Sequence, residues 1–225
     1  MHIEPGFVAP GKIWLGYITA AAAGSYALKL AADAVKTNGS LSLAARCLVA
    51  SALAFSFFQV LPHHPVGVSE VHLILGSTLF LGLGLAPTAI GLVVGLLVQG
   101  MFFAPSDLPQ FGMNVTTLLV PLFGLSALAR RIIAPDTPYV ALGYSQTLTL
   151  SSTYQAGIVS WVAFWTFWGQ GFTSASAASV ATFGAAYMLV IIVEPLVDLA
   201  VLWGAKALHQ LKGSGFVERR LYEAG

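Results

Sequence analysis

Seven long apolar runs, at approximately 13–35, 43–61, 71–85, 87–104, 114–130, 147–170 and 177–205, fill most of this 225-residue chain, and breaks rich in Pro, Gly, Ser and charge separate them. A bilayer-spanning helix needs about 20 mostly apolar residues, and inside lipid every backbone N–H and C=O must find its partner within the protein, so runs of this length are expected to be membrane helices. The expected fold is therefore all-α: a polytopic helix bundle of about seven transmembrane helices, forming one transmembrane domain over 1–225. Within it, 1–12 is expected to be an external N-terminal segment and 206–225 a cytoplasmic tail. The third and fourth runs are short and divided mainly at Ala86-Pro87, which suits a tight hairpin or two incomplete spans and leaves six as the competing count.

Composition supports this and removes several functions. Hydrophobic residues make up 57% and charged residues 8%, against about a quarter charged in soluble domains. Ten Lys or Arg stand against nine Asp or Glu, too even a balance for a protein that binds nucleic acid through its phosphates. The single cysteine, Cys47, excludes an intrachain disulfide and a multi-cysteine zinc site. The stretch Gly6 to Lys12, GFVAPGK, has the spacing of a phosphate-binding loop, but Ile13 follows the lysine and Pro10 removes a backbone donor, so no nucleotide-hydrolysing engine is expected. An intramembrane enzyme would need a nucleophile with its base or a motif such as HExxH, and neither is evident.

Charge placement sets an expected orientation. With the C-terminus cytoplasmic, Lys36, Arg46, Arg130, Arg131, Lys206, Lys212, Arg219 and Arg220 all fall at cytoplasmic ends, and only Lys12 falls clearly outside. The outer face of this cell-membrane protein then carries segment 1–12 and the loops 62–70 and 104–113, with Glu4, Glu70, Asp107 and the histidines His2, His63, His64 and His72.

Those imidazoles gather where an arriving cation would meet the protein. No signal peptide is evident, and the bulky second residue disfavours removal of the initiator, so Met1 is expected to keep its α-amine. The Met1 amine, the deprotonated His2 amide and the His2 imidazole offer three nitrogens in fused chelate rings, suited to metals that accept square-planar geometry. One more imidazole completes the plane. The segment IEPGFVAPGKIW is apolar and shaped by Gly and Pro, more like chain folded into a bundle than a solvated tail. His72, in PVGVSEVHLILG at the start of the third run, is the leading candidate for the fourth ligand, since an ionisable residue just inside a span marks function by default. His63 and His64, flanked by Pro62 and Pro65, are further candidates or solvated loop histidines.

Glu194 and Asp198, four apart in VEPLVDL of the last run, suit a cation path or, as the favoured reading, carboxylates near the cytoplasmic end that pair with helix termini or Lys206. The small residues Ala20, Gly24, Ala27 and Ala31 of the first run, and Gly91 and Gly95 of the fourth, allow close helix approach, for internal packing or for a partner membrane subunit.

The opening MHI followed by PGF, the stretch Gly-Val-Ser-Glu-Val-His-Leu ending around His72, Leu-Val-Gln at Gln99, and Gly112-Met113-Asn114-Val115 together resemble the substrate-binding membrane component of cobalt and nickel energy-coupling-factor transporters, the CbiM/NikM family. The likeness spans most of the first 125 residues. It implies a seven-helix protein whose N-terminal segment inserts into the bundle from outside and presents the Met1 amine, the His2 amide and the His2 imidazole, with His72 as fourth nitrogen. Gln99 and Asn114 would then hold the ligands or the segment by hydrogen bonds, while Glu70, His63 and His64 add polar groups beside the motif. The resemblance also implies a transmembrane scaffold subunit and a pair of cytoplasmic ATPases as partners. The transported ion would be Co²⁺ or Ni²⁺, cobalt slightly preferred, with no resident cofactor. The contrasting expectation is a standalone permease or channel, marked by buried charges in several helices and an internal repeat. Lys29, Asp33, Glu194 and Asp198 are its candidates, and no repeat is visible.

Overall fold

The third apolar run is where the chain departs from a row of regular helices. A computed structural model describes residues 3, 6 and 8–210. Its elements are α1 (Trp14–Asn38), α2 (Ser40–Gln59), a hairpin of β1 (His64–Val66) and β2 (Ser69–Val71), α3 (Gly76–Leu83), α4 (Leu85–Phe102), α5 (Phe111–Ile132), α6 (Tyr144–Gln170) and α7 (Ser174–Gln210). Among the described residues the count of seven α-helices agrees with the apolar runs, but α3 holds only 8 residues. At 1.5 Å per residue it covers about 12 Å, well short of a hydrocarbon core of about 30 Å. The residues before it, His72–Leu75, are not helical. Leu75 takes a left-handed conformation with φ of 50°, so this run is part non-helical chain and part short helix.

The sequence suggested Ala86-Pro87 as the break between the third and fourth runs. Instead the chain turns at Gly84, whose φ of 94° caps α3 and opens α4. Glycine adopts that left-handed conformation without the penalty a Cβ would bring. Pro87 sits in the first turn of α4, where a missing N–H costs no helical hydrogen bond. Gly39, with φ of 81°, joins α1 to α2 in the same way.

Helices α2, α4, α5 with the turn before it, and α7 are each long and apolar enough to cross a bilayer. Helices α1 and α6 have the length, 25 and 27 residues, with Ala, Ser and Thr diluting their apolar content. Packing is closest where side chains are smallest. Gly91 and Gly95 of α4 lie directly on Ala50 and Ala54 of α2, and Gly16 of α1 meets Gly112 of α5. The pair in α4 therefore serves internal packing. Around these contacts Trp165, Tyr154, Tyr187, Phe58 and Phe183 are fully buried, while Leu28, Leu41, Leu48, Leu189 and Trp203 face outward, as lipid-facing positions require.

One end of the bundle gathers the N-terminal residues, the hairpin, the 105–110 turn and the α6–α7 junction. Lys12 Nζ donates to the carbonyls of Trp168 and Gly169, and the Tyr17 hydroxyl donates to those of Leu108 and Pro109. At the opposite end Arg46 donates to the Leu83 carbonyl, and Lys206 to the Leu142 carbonyl.

Candidate metal centre

Strand geometry brings the polar residues of the loop together. The hairpin pairs His64 with Val71, Pro65 with Glu70 and Val66 with Ser69. Side chains two apart on an extended chain point to the same side, so Glu70 and His72 share a face, and His72 Nε2 lies 2.8 Å from Glu70 Oε2. The His72 ring is 1% exposed. His63 stacks on it with centroids 5.0 Å apart and planes 14° from parallel, and Phe58 of α2 meets it edge-on at 6.0 Å. His63 is oriented in turn by a 3.1 Å contact from Nδ1 to the Leu61 carbonyl. His64 is exposed on β1 and does not join this group.

The hairpin tip rests on the start of α7. Gly67, at φ of 62°, lies so close that a Cβ there would come within 2.9 Å of the Ser179 carbonyl oxygen. A third strand position comes from the N-terminus, where Ile3 forms an antiparallel bridge with Ser69. The Ile3 N–H donates to Asn114 Oδ1 at 2.8 Å, and Ile3 is buried. Asn114 belongs to the first turn of α5 and Gln99 to the last turn of α4, both buried at the same end of the bundle. The Gln99 Oε1 accepts no hydrogen bond among the described residues. Met1, His2 and Glu4 lie outside the described residues, as does the 211–225 part of the tail.

Of the sequence candidates, the structure brings His72, Glu70 and His63 into contact, and holds Ile3 on Asn114 and Ser69 beside them. Among the described residues no group of three or more His, Cys, Asp and Glu side chains is arranged to hold an ion.

Sequence reasoning placed Glu194 and Asp198 near the cytoplasmic end, paired with helix termini or with Lys206; the structure sets them at the start of α3, while Lys206 donates to the Leu142 carbonyl instead. Both are buried, and Glu194 faces Gln155, near the middle of α6. Its carboxylate accepts from the Ile74 backbone N–H and from Gln155 Nε2, and the Leu75 N–H also reaches it. The Gln155 Oε1 accepts from the Tyr187 hydroxyl at 2.7 Å. Asp198 accepts from Ser77 at 2.5 Å and from Thr78. The spacing of four was the available signal; the partners, about 120 positions away in sequence, were not.

Fold and site together define a polytopic membrane protein with an imidazole and carboxylate cluster, and Ile3 bridged to Ser69 beside it, at one end of the bundle. The family model for CbiM, the cobalt uptake substrate-specific transmembrane region, matches residues 2–208, and the chain belongs to that family. Two solved structures share the fold. One is a crystal structure of a transition metal transporter, with TM-score 0.69 and 19% identity, covering 99% of this chain and 98% of the other. A truncated transition metal transporter gives TM-score 0.67 at 20% identity, covering 90% and 97%. No curated protein matches this sequence significantly.

Proposed function

We propose that this chain is the metal-capture component of an energy-coupling-factor importer for divalent cobalt or nickel, cobalt being favoured by the family it belongs to. The ion is held by the Met1 amine, the His2 amide, the His2 imidazole and the His72 imidazole. One observation carries the reading: Ile3 is fixed on both sides, to Asn114 and to Ser69, next to the strand that continues into His72. His2 is joined directly to Ile3 in the chain, and that short covalent tether supports the chelating nitrogens acting at the His72 end of the bundle. Four nitrogens in a plane suit nickel and cobalt better than they suit hard, oxygen-seeking cations.

The surroundings support these roles. A carboxylate beside a ligand imidazole fixes its orientation and raises its basicity, which is the task assigned to Glu70. Asn114 positions the N-terminal segment. The buried Gln99 Oε1 supplies an acceptor for the N–H groups of the same segment. The site faces outside, because Lys36, Arg46, Arg130, Arg131 and Lys206 cluster toward the opposite, cytoplasmic end. Energy comes from a transmembrane scaffold subunit and cytoplasmic ATPases, as the family resemblance implies.

Binding releases protons, so affinity falls as pH falls, and titrations at stepped pH should show it. Asn114→Ala leaves the buried Ile3 N–H without its acceptor and is expected to weaken metal binding about tenfold, measured by calorimetry with Ni²⁺ and Co²⁺. Unchanged affinity in that variant would remove the positioning role.

A standalone permease is the second reading, favoured by the buried carboxylates and the broken third span. Uptake into vesicles containing this chain alone distinguishes the two: metal accumulation without ATPase subunits supports the permease, and accumulation only with them supports capture.

A further inference from the structure

We infer that Glu194 and Asp198 of the last helix are positioning residues for the metal loop, holding the broken third span so that His72 is presented at a fixed depth. The inference rests on the proposed role of His72 as a ligand.

Backbone in the non-helical stretch His72–Leu75 has no helical ladder to satisfy it, and the first N–H groups of α3 are also without partners in their own helix. Inside a membrane such groups need acceptors from elsewhere in the protein. Helix α7 supplies them. Glu194 takes the N–H groups of Ile74 and Leu75, and Asp198, one turn on, takes the hydroxyls of Ser77 and Thr78.

Two buried carboxylates at the centre of a bundle are expensive unless fully hydrogen-bonded. Here the arrangement is over-determined: Gln155 donates to Glu194 and is oriented by Tyr187. Ile74 is two residues from His72, so its anchor fixes the backbone from which the imidazole projects. Helix α7 also supports the hairpin tip at Gly67. The loop is thereby held at its tip and at its base by one helix, which runs on to the opposite end of the bundle.

The test uses the full chain in lipid nanodiscs, with two readouts: hydrogen exchange of the 72–78 amides without metal, and Ni²⁺ affinity of the folded fraction. E194L is expected to speed exchange at Ile74 and Leu75 and to weaken affinity at least about tenfold. E194Q sets its amide group against that of Gln155, which Tyr187 holds in place, and is expected to do the same to a smaller degree. In E194Q/Q155E the donors and acceptors are exchanged, every hydrogen bond is kept, and both readouts should return to wild-type values. If E194L yields no folded protein, E194Q and the exchanged pair decide. A folded E194L, or in its absence E194Q, with wild-type exchange and affinity would overturn the inference, as would an exchanged pair that fails to repair the loss in E194Q. Should wild-type protein bind no metal, the capture reading falls, while the exchange readout still decides whether Glu194 holds the loop.

Discussion

His72→Ala is expected to weaken Co²⁺ and Ni²⁺ binding by more than about 100-fold, beyond the 10–100-fold typical of losing a group that merely orients a ligand. The imidazole is buried, stacked on His63 and held by Glu70, so its loss removes a nitrogen that no neighbouring side chain replaces in position. Calorimetry on the folded variant measures this, with thermal unfolding as the control for general damage. His64→Ala, at an exposed position on the outer strand of the hairpin, should leave affinity nearly unchanged. His63→Ala removes the stacking partner and is expected to cost about tenfold. Equal losses in all three would mean that histidine content, rather than the placement of His72, governs binding.

The largest effect on stability is expected from Gly91→Leu. A Cβ at Gly91 would lie 2.4 Å from the Ala50 Cβ and 2.7 Å from the Ala50 carbonyl carbon. Backbone cannot swing aside as a side-chain tip does, so α2 and α4 must separate, at a cost of at least about 3 kcal/mol. Unfolding of the detergent-solubilised protein should shift markedly. Gly24→Leu is the matched control, because nothing lies within 4 Å of the corresponding Cβ, and it should change stability little. Similar destabilisation by both would contradict the account of the α2–α4 contact.

Most of the helical framework was legible in the sequence, because a membrane span must be continuously apolar and seven such runs stand out from their breaks. The broken third span was not. Residues 71–85 are apolar apart from His72, Ser77 and Thr78, and hydropathy is the same for a non-helical chain as for a helix. The stretch His72–Leu75 stays out of a helix with acceptors on α7, supplied across 120 residues for Ile74 and Glu194, and no local pattern encodes that. The same reasoning explains the turn at Gly84: a proline in the first helical turn is tolerated, so Pro87 was a weaker signal than the glycine before it.

At the site, the pairing of Glu70 with His72 follows from strand alternation once the segment is known to be extended, and the loop motif pointed to His72 directly. The His63 stack and the Ile3–Asn114 hydrogen bond, between residues 111 apart, depend on tertiary packing. Glu194 and Asp198 were visible as a spaced pair, but their depth was misjudged, because α7 runs for 37 residues and apolar composition alone does not locate the membrane midplane along it.

The central claim is the chelate formed by the N-terminus with His72, and metal titration of a variant with one glycine inserted between Met1 and His2 tests it most directly. The insertion keeps every side chain while enlarging the chelate ring that joins the amine to the His2 amide. Elemental analysis and calorimetry with Ni²⁺ and Co²⁺ should show one tightly bound ion per wild-type chain and loss of stoichiometric binding in the variant. Equal binding by both would contradict the N-terminal chelate.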